Sequence, residues 1–144
     1  PLYCAAGQRL SFDAPPDGGG YDEYVSDPAK PVTYTPRPIR PKGAAGSNWD
    51  AWLVEDQRFA ADRPDVLCYC SAPLEAPLAI AGQPIAHLFA STSGSDCDWV
   101  IKLIDVYPLE VPGDAAMGGY QLPVAMEILR ARYRDDFAHP TPVP

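Results

Sequence analysis

Histidine is nearly absent from this sequence: His87 and His139 are its two copies, and asparagine occurs once, at Asn48. So small a supply of imidazole leaves little room for nucleophilic catalysis of the Ser–His or Cys–His kind. No Gly-x-Ser-x-Gly elbow is present to hold a nucleophile in a strained turn. Ser93-Gly94-Ser95-Asp96 has the right residue types, but it lies between two strand-like runs, where a plain turn needs them. His87 sits inside a β-like run and is expected to pack. His139, between Ala138 and Pro140, reads as a loop residue. A glycine-rich phosphate loop is missing, and so are the Cys-x-x-Cys and His-x-x-x-His spacings of zinc sites. The chain is expected to carry no catalytic residue, no metal ligand and no cofactor of its own.

Basic charge is also short. Eleven Lys and Arg face 19 Asp and Glu, for a net charge of -8. An acidic surface repels phosphate, so nucleic acid is not an expected partner. No apolar run approaches the roughly 18 residues of a bilayer span, so no membrane association is expected. No basic segment followed by an apolar one opens the chain, and no signal peptide is expected here. The sequence starts Pro1-Leu2-Tyr3 without an initiator Met and ends Thr141-Pro142-Val143-Pro144. It is read as a piece of something longer.

What is plentiful is proline, with 18 copies in 144 residues. Proline removes a backbone donor and clashes inside helices, so long helices are excluded. Hydrophobic residues at 47% and charged residues at 21% are ordinary for one globular domain with a core. An all-β domain with long loops fits best. The four cysteines, Cys4, Cys68, Cys70 and Cys97, permit three full pairings. Cys68 and Cys70 lie two apart in a strand-like run, so they share a face and are not expected to bond each other. The disulfide state stays open, with buried free thiols as the simplest expectation.

Along the chain, Leu2-Tyr3-Cys4 and Leu10-Ser11-Phe12 read as a hairpin around Ala5-Ala6-Gly7-Gln8. Residues 13–48 are rich in Pro and Gly, acidic in their first half and basic in their second. Tyr21, Tyr24 and Tyr34 suggest an extended segment laid on a surface. Strands are expected at Val66-Leu67-Cys68-Tyr69-Cys70, at Leu78-Ala79-Ile80, over 85–93 and over 98–107. The last has apolar residues on both parities, so both its faces should be covered, while Asp98, Lys102 and Asp105 need solvent or partners. Residues 124–133 fit helix and strand periods alike. A strand over 128–134 is preferred, since Arg130, Arg132 and Arg134 then form one polar row. That row is either a solvated sheet face or a set of partners for acidic loops.

The series Tyr24-Val25-Ser26-Asp27-Pro28-Ala29-Lys30-Pro31-Val32, Glu55-Asp56-Gln57-Arg58 and Arg63-Pro64-Asp65-Val66-Leu67 continues through Ser71-Ala72-Pro73-Leu74 and Ala90-Ser91-Thr92-Ser93. It ends with Lys102-Leu103-Ile104-Asp105-Val106-Tyr107-Pro108 and Leu129-Arg130-Ala131-Arg132-Tyr133-Arg134. In this order the segments resemble the C-terminal domain of the cocaine esterase and X-Pro dipeptidyl-peptidase group of serine hydrolases. Trp49-Asp50-Ala51-Trp52-Leu53-Val54 and Met117-Gly118-Gly119-Tyr120-Gln121-Leu122-Pro123 are most similar to the α-amino acid ester hydrolases. Those enzymes hydrolyse and transfer acyl groups of α-amino acid esters and β-lactam antibiotics.

The resemblance implies a galactose-binding-like jelly-roll β-sandwich, one of three parts beside an α/β-hydrolase domain with a Ser-Asp-His triad and a helical cap. The triad has no counterpart among these residues. Family jelly rolls continue past the Arg-Tyr-Arg strand, so the sandwich is expected to be incomplete at its C-terminus. Residues 1–12 would be the end of a preceding hydrolase domain or a first strand, 13–48 an extended segment, and 49–144 the partial sandwich. Its partners would be the hydrolase domain, an ester or amide substrate reached through that domain, and further copies of itself. The location would be periplasmic or secreted if the chain is like the α-amino acid ester hydrolases, otherwise cytoplasmic. Trp49 and Trp52 are candidates for lining the substrate pocket or for packing between domains. Arg63 and Asp65 are expected to be held structurally at the start of a strand, with Pro64 fixing the backbone between them. The rival reading is a stand-alone carbohydrate-binding or structural jelly-roll module, weakened by the lone Asn48.

Overall fold

A computed structural model describes residues 1–16 and 20–143. Its regular elements are mainly strands: β1 (Tyr3–Ala5), β2 (Arg9–Ser11), β3 (Asp98–Val106) and β4 (Gln121–Arg130). One four-residue helix, α1 (Arg58–Ala61), and three single 3-10 turns, at Trp52–Val54, Ala115–Met117 and Ala131–Tyr133, complete them. The all-β expectation holds. Two compact units share the chain: Pro1–Asp50 with Gln57–Ala81, and Ala51–Asp56 with Gly82–Pro144.

In the first unit β1 and β2 pair antiparallel, with Cys4 opposite Leu10. The hairpin closes because Gly7 and Gln8 both take left-handed backbone, φ 74° and 56°. Glycine does so freely, and Gln8 is the non-glycine exception. The Gln8 carbonyl then accepts from Cys70 N at 3.0 Å, and Leu10 N donates to the Cys70 carbonyl at 2.8 Å. That makes one parallel bridge, Arg9 to Cys70. The expected strand at 66–70 is reduced to this single bridged residue.

The second unit is built on a long ladder. β3 and β4 pair antiparallel from Asp98↔Arg130 to Val106↔Gln121, with a register shift between Leu103 and Ile104. Leu103 faces Ala125 and Ile104 faces Pro123, so Val124 is the extra residue of a bulge. Proline cannot donate to a ladder, and a bulge is where a sheet tolerates it. The connection between the strands is tied by Tyr107 N to Tyr120 O (2.9 Å) and Gly119 N to Pro108 O (2.9 Å). Asp114 caps the turn at Ala115–Met117 by accepting from Ala116 N. Gly118 passes so close to the Leu109 carbonyl that an added Cβ would lie 2.5 Å from it.

Several strand expectations are corrected. Residues 78–80 and 85–93 belong to no ladder and are largely exposed, with Ile85 at 90% and Phe89 at 97%. Alternation marks a run able to pair, but no partner strand lies beside these among the described residues. The strand expected at 128–134 ends at Arg130, because β3 starts at the opposite residue, Asp98. Beyond it, Ala131 N bonds Cys97 O and the chain turns at Ala131–Tyr133, so the arginines do not form one row. Both faces of β3 were expected to be covered, yet Val100 and Val106 are exposed, as is Ile128 opposite Val100.

Burial is sparse. Among the described residues the buried hydrophobic ones are Ala60 and Ala131. The accessible surface is 11564 Å². Two compact bodies of half this mass each would together expose about 8,700 Å². Much apolar surface here is shaped but uncovered.

Candidate functional site

The sequence singles out Arg63 and Asp65, and the structure sets them against each other. Pro64 and Asp65 form a turn that Val66 N closes on the Arg63 carbonyl at 3.2 Å, and this brings both side chains to the same neighbourhood. Arg63 donates Nε to Asp65 Oδ1 at 2.8 Å and Nη2 to Oδ2 at 2.6 Å, a two-pronged pair. Nη2 also donates to the Lys30 carbonyl at 2.7 Å. Hydrogen bonding to Arg63 holds the Asp65 carboxyl below the usual carboxylate range, and the same bond raises the guanidinium. Arg63 thus binds a backbone carbonyl and the carboxylate two residues on. The strand that was to follow is absent apart from Cys70.

The two tryptophans fall in different units. Trp49 lies on a turn and is 41% exposed, its backbone N–H 3.4 Å from Ser47 Oγ. Trp52 opens the 3-10 turn Trp52–Val54 and is half-buried. In the second unit that turn is fastened to β4: Tyr120 Oη donates to the Val54 carbonyl at 2.8 Å, and Gln121 N donates to Asp56 Oδ1 at 3.2 Å.

The arginines read as a row have separate acidic partners. Arg130 lies 3.8 Å from Asp98, Arg132 2.7 Å from Asp96, and Arg134 3.4 Å from Asp135. Arg134 also donates to the carbonyls of Ala131 and Thr141, both at 3.1 Å. Ser95, Asp96, Arg132, Pro140, Thr141 and Pro142 line an open hollow of about 240 Å³. Arg132 Nε and Asp96 Oδ1 are shielded from solvent and lack a hydrogen-bond partner.

Other groups are chemically quiet. The thiols are free. Cys4 and Cys70 are exposed and Cys68 and Cys97 half-buried, so the expectation of four buried thiols is corrected. Burial pushes the thiols of Cys4, Cys68 and Cys97 up, away from the reactive thiolate. His87 was expected to pack in a strand; it is exposed and meets Phe89 edge-on at 5.2 Å. His139 Nδ1 lies 2.7 Å from Asp136 Oδ2. Lys102, half-buried on β3, has its ammonium pKa lowered by that burial. Among the described residues no three His, Cys, Asp or Glu side chains are grouped to hold a metal ion. Nor is any helix among the described residues long and apolar enough to cross a membrane.

Sequence reasoning missed one link. Tyr69 Oη donates to Asp22 Oδ2 at 2.7 Å, across 47 residues. Desolvation, and then the bond to Asp22, push the phenol up to about 12. Tyr69 carried only a strand signal and Asp22 only an acidic one.

Comparison with known proteins gives a consistent result. The pattern of the X-Pro dipeptidyl-peptidase C-terminal non-catalytic domain matches residues 5–144. A cocaine esterase of Rhodococcus sp. (strain MB1 Bresler) is 36% identical over 120 residues, 83% of this chain and 18% of that protein. The solved structure of an α-amino acid ester hydrolase superposes with a TM-score of 0.93 at 56% identity, over 100% of this chain and 23% of that one. An aminopeptidase from a marine sediment Thaumarchaeota archaeon gives a TM-score of 0.95 at 54% identity, over 99% of this chain and 23% of that one. The chain therefore spans about a fifth of the length of these relatives, and its path follows theirs.

Proposed function

Because the chain belongs to the X-Pro dipeptidyl-peptidase C-terminal non-catalytic domain family, we propose that it packs on an α/β-hydrolase domain of its parent enzyme and helps to close that domain's substrate pocket. The parent reaction would be hydrolysis of an α-amino acid ester or amide, in line with the names of the similar solved proteins, an α-amino acid ester hydrolase and an aminopeptidase. The observation that carries the reading is the uncovered apolar surface. Trp49, Ile85, Phe89, Val100, Val106 and Ile128 are exposed, in a chain whose path agrees with that of the far longer relatives. The accessible surface exceeds that of two compact bodies by about 2,800 Å², at least as much as one side of a permanent interface buries, about 1,000–2,500 Å².

The test uses the natural full-length enzyme beside the isolated chain. The isolated chain is expected to leave an activated amino acid ester intact. Burst release from it, abolished by changing a single Ser, would overturn the reading. Trp49→Ala and Trp52→Ala in the full-length enzyme are expected to lower its melting temperature while KM stays within about two-fold. A raised KM at unchanged melting temperature would place that ring in the pocket instead of between domains. By itself the chain should associate through its uncovered edges and faces. A sharply melting monomer at high concentration would contradict this.

A further inference from the structure

Residues 22–30 run without regular structure through the first unit, yet side chains hold them at both ends. Near one end Asp22 accepts from Tyr69 at 2.7 Å; at the other, the Lys30 carbonyl accepts from Arg63 at 2.7 Å. The seat is therefore the run 63–69, followed in the opposite direction. Eight steps of chain lie over six, and the seat is shortened further by the turn that Val66 N closes on the Arg63 carbonyl at 3.2 Å, so the segment is longer than its seat. It takes up part of this slack in a turn: Ala29 N donates to Asp27 Oδ1 at 2.9 Å and Lys30 N to the Asp27 carbonyl at 3.0 Å. Between the two fastenings Tyr24 is 43% and Val25 85% exposed, so apolar burial does little to hold the middle down. Residues 65–69 are half-buried, and the single bridge to β2 follows them at Cys70.

We propose that residues 22–30 form a strap fastened by two polar latches, Tyr69–Asp22 and Arg63–Lys30, that lifts as one unit and bares the run 63–69. Residues 66–69 keep their strand-like sequence, and such an edge left open pairs readily with other chains. The strap acts as a removable cover for it. Polar latches suit that role, since water replaces each lost hydrogen bond when the strap rises, whereas a buried apolar anchor would resist release.

Chymotryptic cleavage after Tyr21 and Tyr24 in the natural full-length protein, mapped by mass spectrometry, reads strap opening. Hydrogen exchange at residues 66–69 reads the bared run. Tyr69→Phe is expected to speed cleavage after Tyr24 about five-fold, and Arg63→Met about ten-fold, from the worth of charge-assisted hydrogen bonds at exposed sites. Together they should act as the product, about fifty-fold, because both latches restrain one opening. Exchange at 66–69 should rise in step, while cleavage after Phe59 and Trp99 stays at the parent rate. Three results would overturn the proposal. Cleavage after Tyr24 could ignore both variants. It could answer to Tyr69→Phe alone, which means fraying at the Asp22 end. Or it could rise together with Phe59 and Trp99, which means general unfolding.

Discussion

The longest strands of the first unit have three residues, whereas β3 and β4 in the second run for nine and ten. The first unit is fixed by individual side-chain links over long sequence separations, such as Tyr69 to Asp22 and Arg63 to Lys30. The second is fixed by a ladder whose bonds support one another and by tight turns at its ends. A ladder spreads a local defect over many bonds, while a point link concentrates it in one or two. The first unit should therefore be sensitive to polar substitutions, and the second to changes of volume or backbone where the chain turns.

The largest effects are expected where the second unit has no spare room. Ala131 is fully buried after the ladder's last pair, and Gly118 is pressed against Leu109. Ala131→Leu and Gly118→Ala should each cost about 1–3 kcal/mol, read from urea unfolding midpoints. If neither moves the midpoint, the second unit is looser than its ladder suggests and the contrast fails. In the first unit, Asp65→Ala should lower the melting temperature by roughly 5 °C, while Asp62→Ala, outside the paired motif, should melt with the parent. Equal melting of the two variants would reduce Arg63-Pro64-Asp65 to a loop.

The same carboxylate fixes the sign of a pH effect. Asp65 has its pKa lowered in the fold from 3.8 by the Arg63 bond. Its contribution is complete above pH 3.8 and is lost as the pH falls through the lower folded-state value. The stability gap between parent and Asp65→Ala should therefore be constant at neutral pH and close only in strong acid. A gap that shrinks between pH 8 and 6 would point to another group.

Arg132→Met removes the ion pair with Asp96, whose side chains are 39% and 32% exposed. Solvent screening reduces its value, and about 1 kcal/mol is expected. Lys42 and Asp50, at 77% and 85%, are nearly bare, so Lys42→Ala should change stability by less than about 0.5 kcal/mol. A larger change there would mean that exposed charges matter in the first unit beyond its specific links.

Legibility in the sequence follows the range of the interaction. The hairpin at β1 and β2 and the strand β3 were readable because turn residues and alternation are local signals. Arg63-Pro64-Asp65 stood out as opposite charges flanking a proline, although the bond between the two charges came only with the structure. Tyr69 and Asp22, 47 residues apart, gave no joint signal. The runs at 66–70, 78–80 and 85–93 read as strands since alternation reports what a segment could bury. It carries no record of whether a neighbour lies alongside. The same holds for the second face of β3. The match to longer relatives supplies context that no single-segment pattern contains.

The bulge at Val124 has one more consequence. From Ala125 onward, even-numbered residues of β4 share a face with Val100 and Lys102; before Val124, the odd-numbered Pro123 and Gln121 take that face. The strand is thus written in two phases, like a text in which one letter has been inserted. Any attempt to fit a single alternation across 121–130 must lose one half or the other, and here it lost the first. Deleting Val124 would bring the halves into phase and remove the place where Pro123 sits without a donor. The inserted residue is the means by which a proline-bearing strand and an uninterrupted one stay aligned for ten residues.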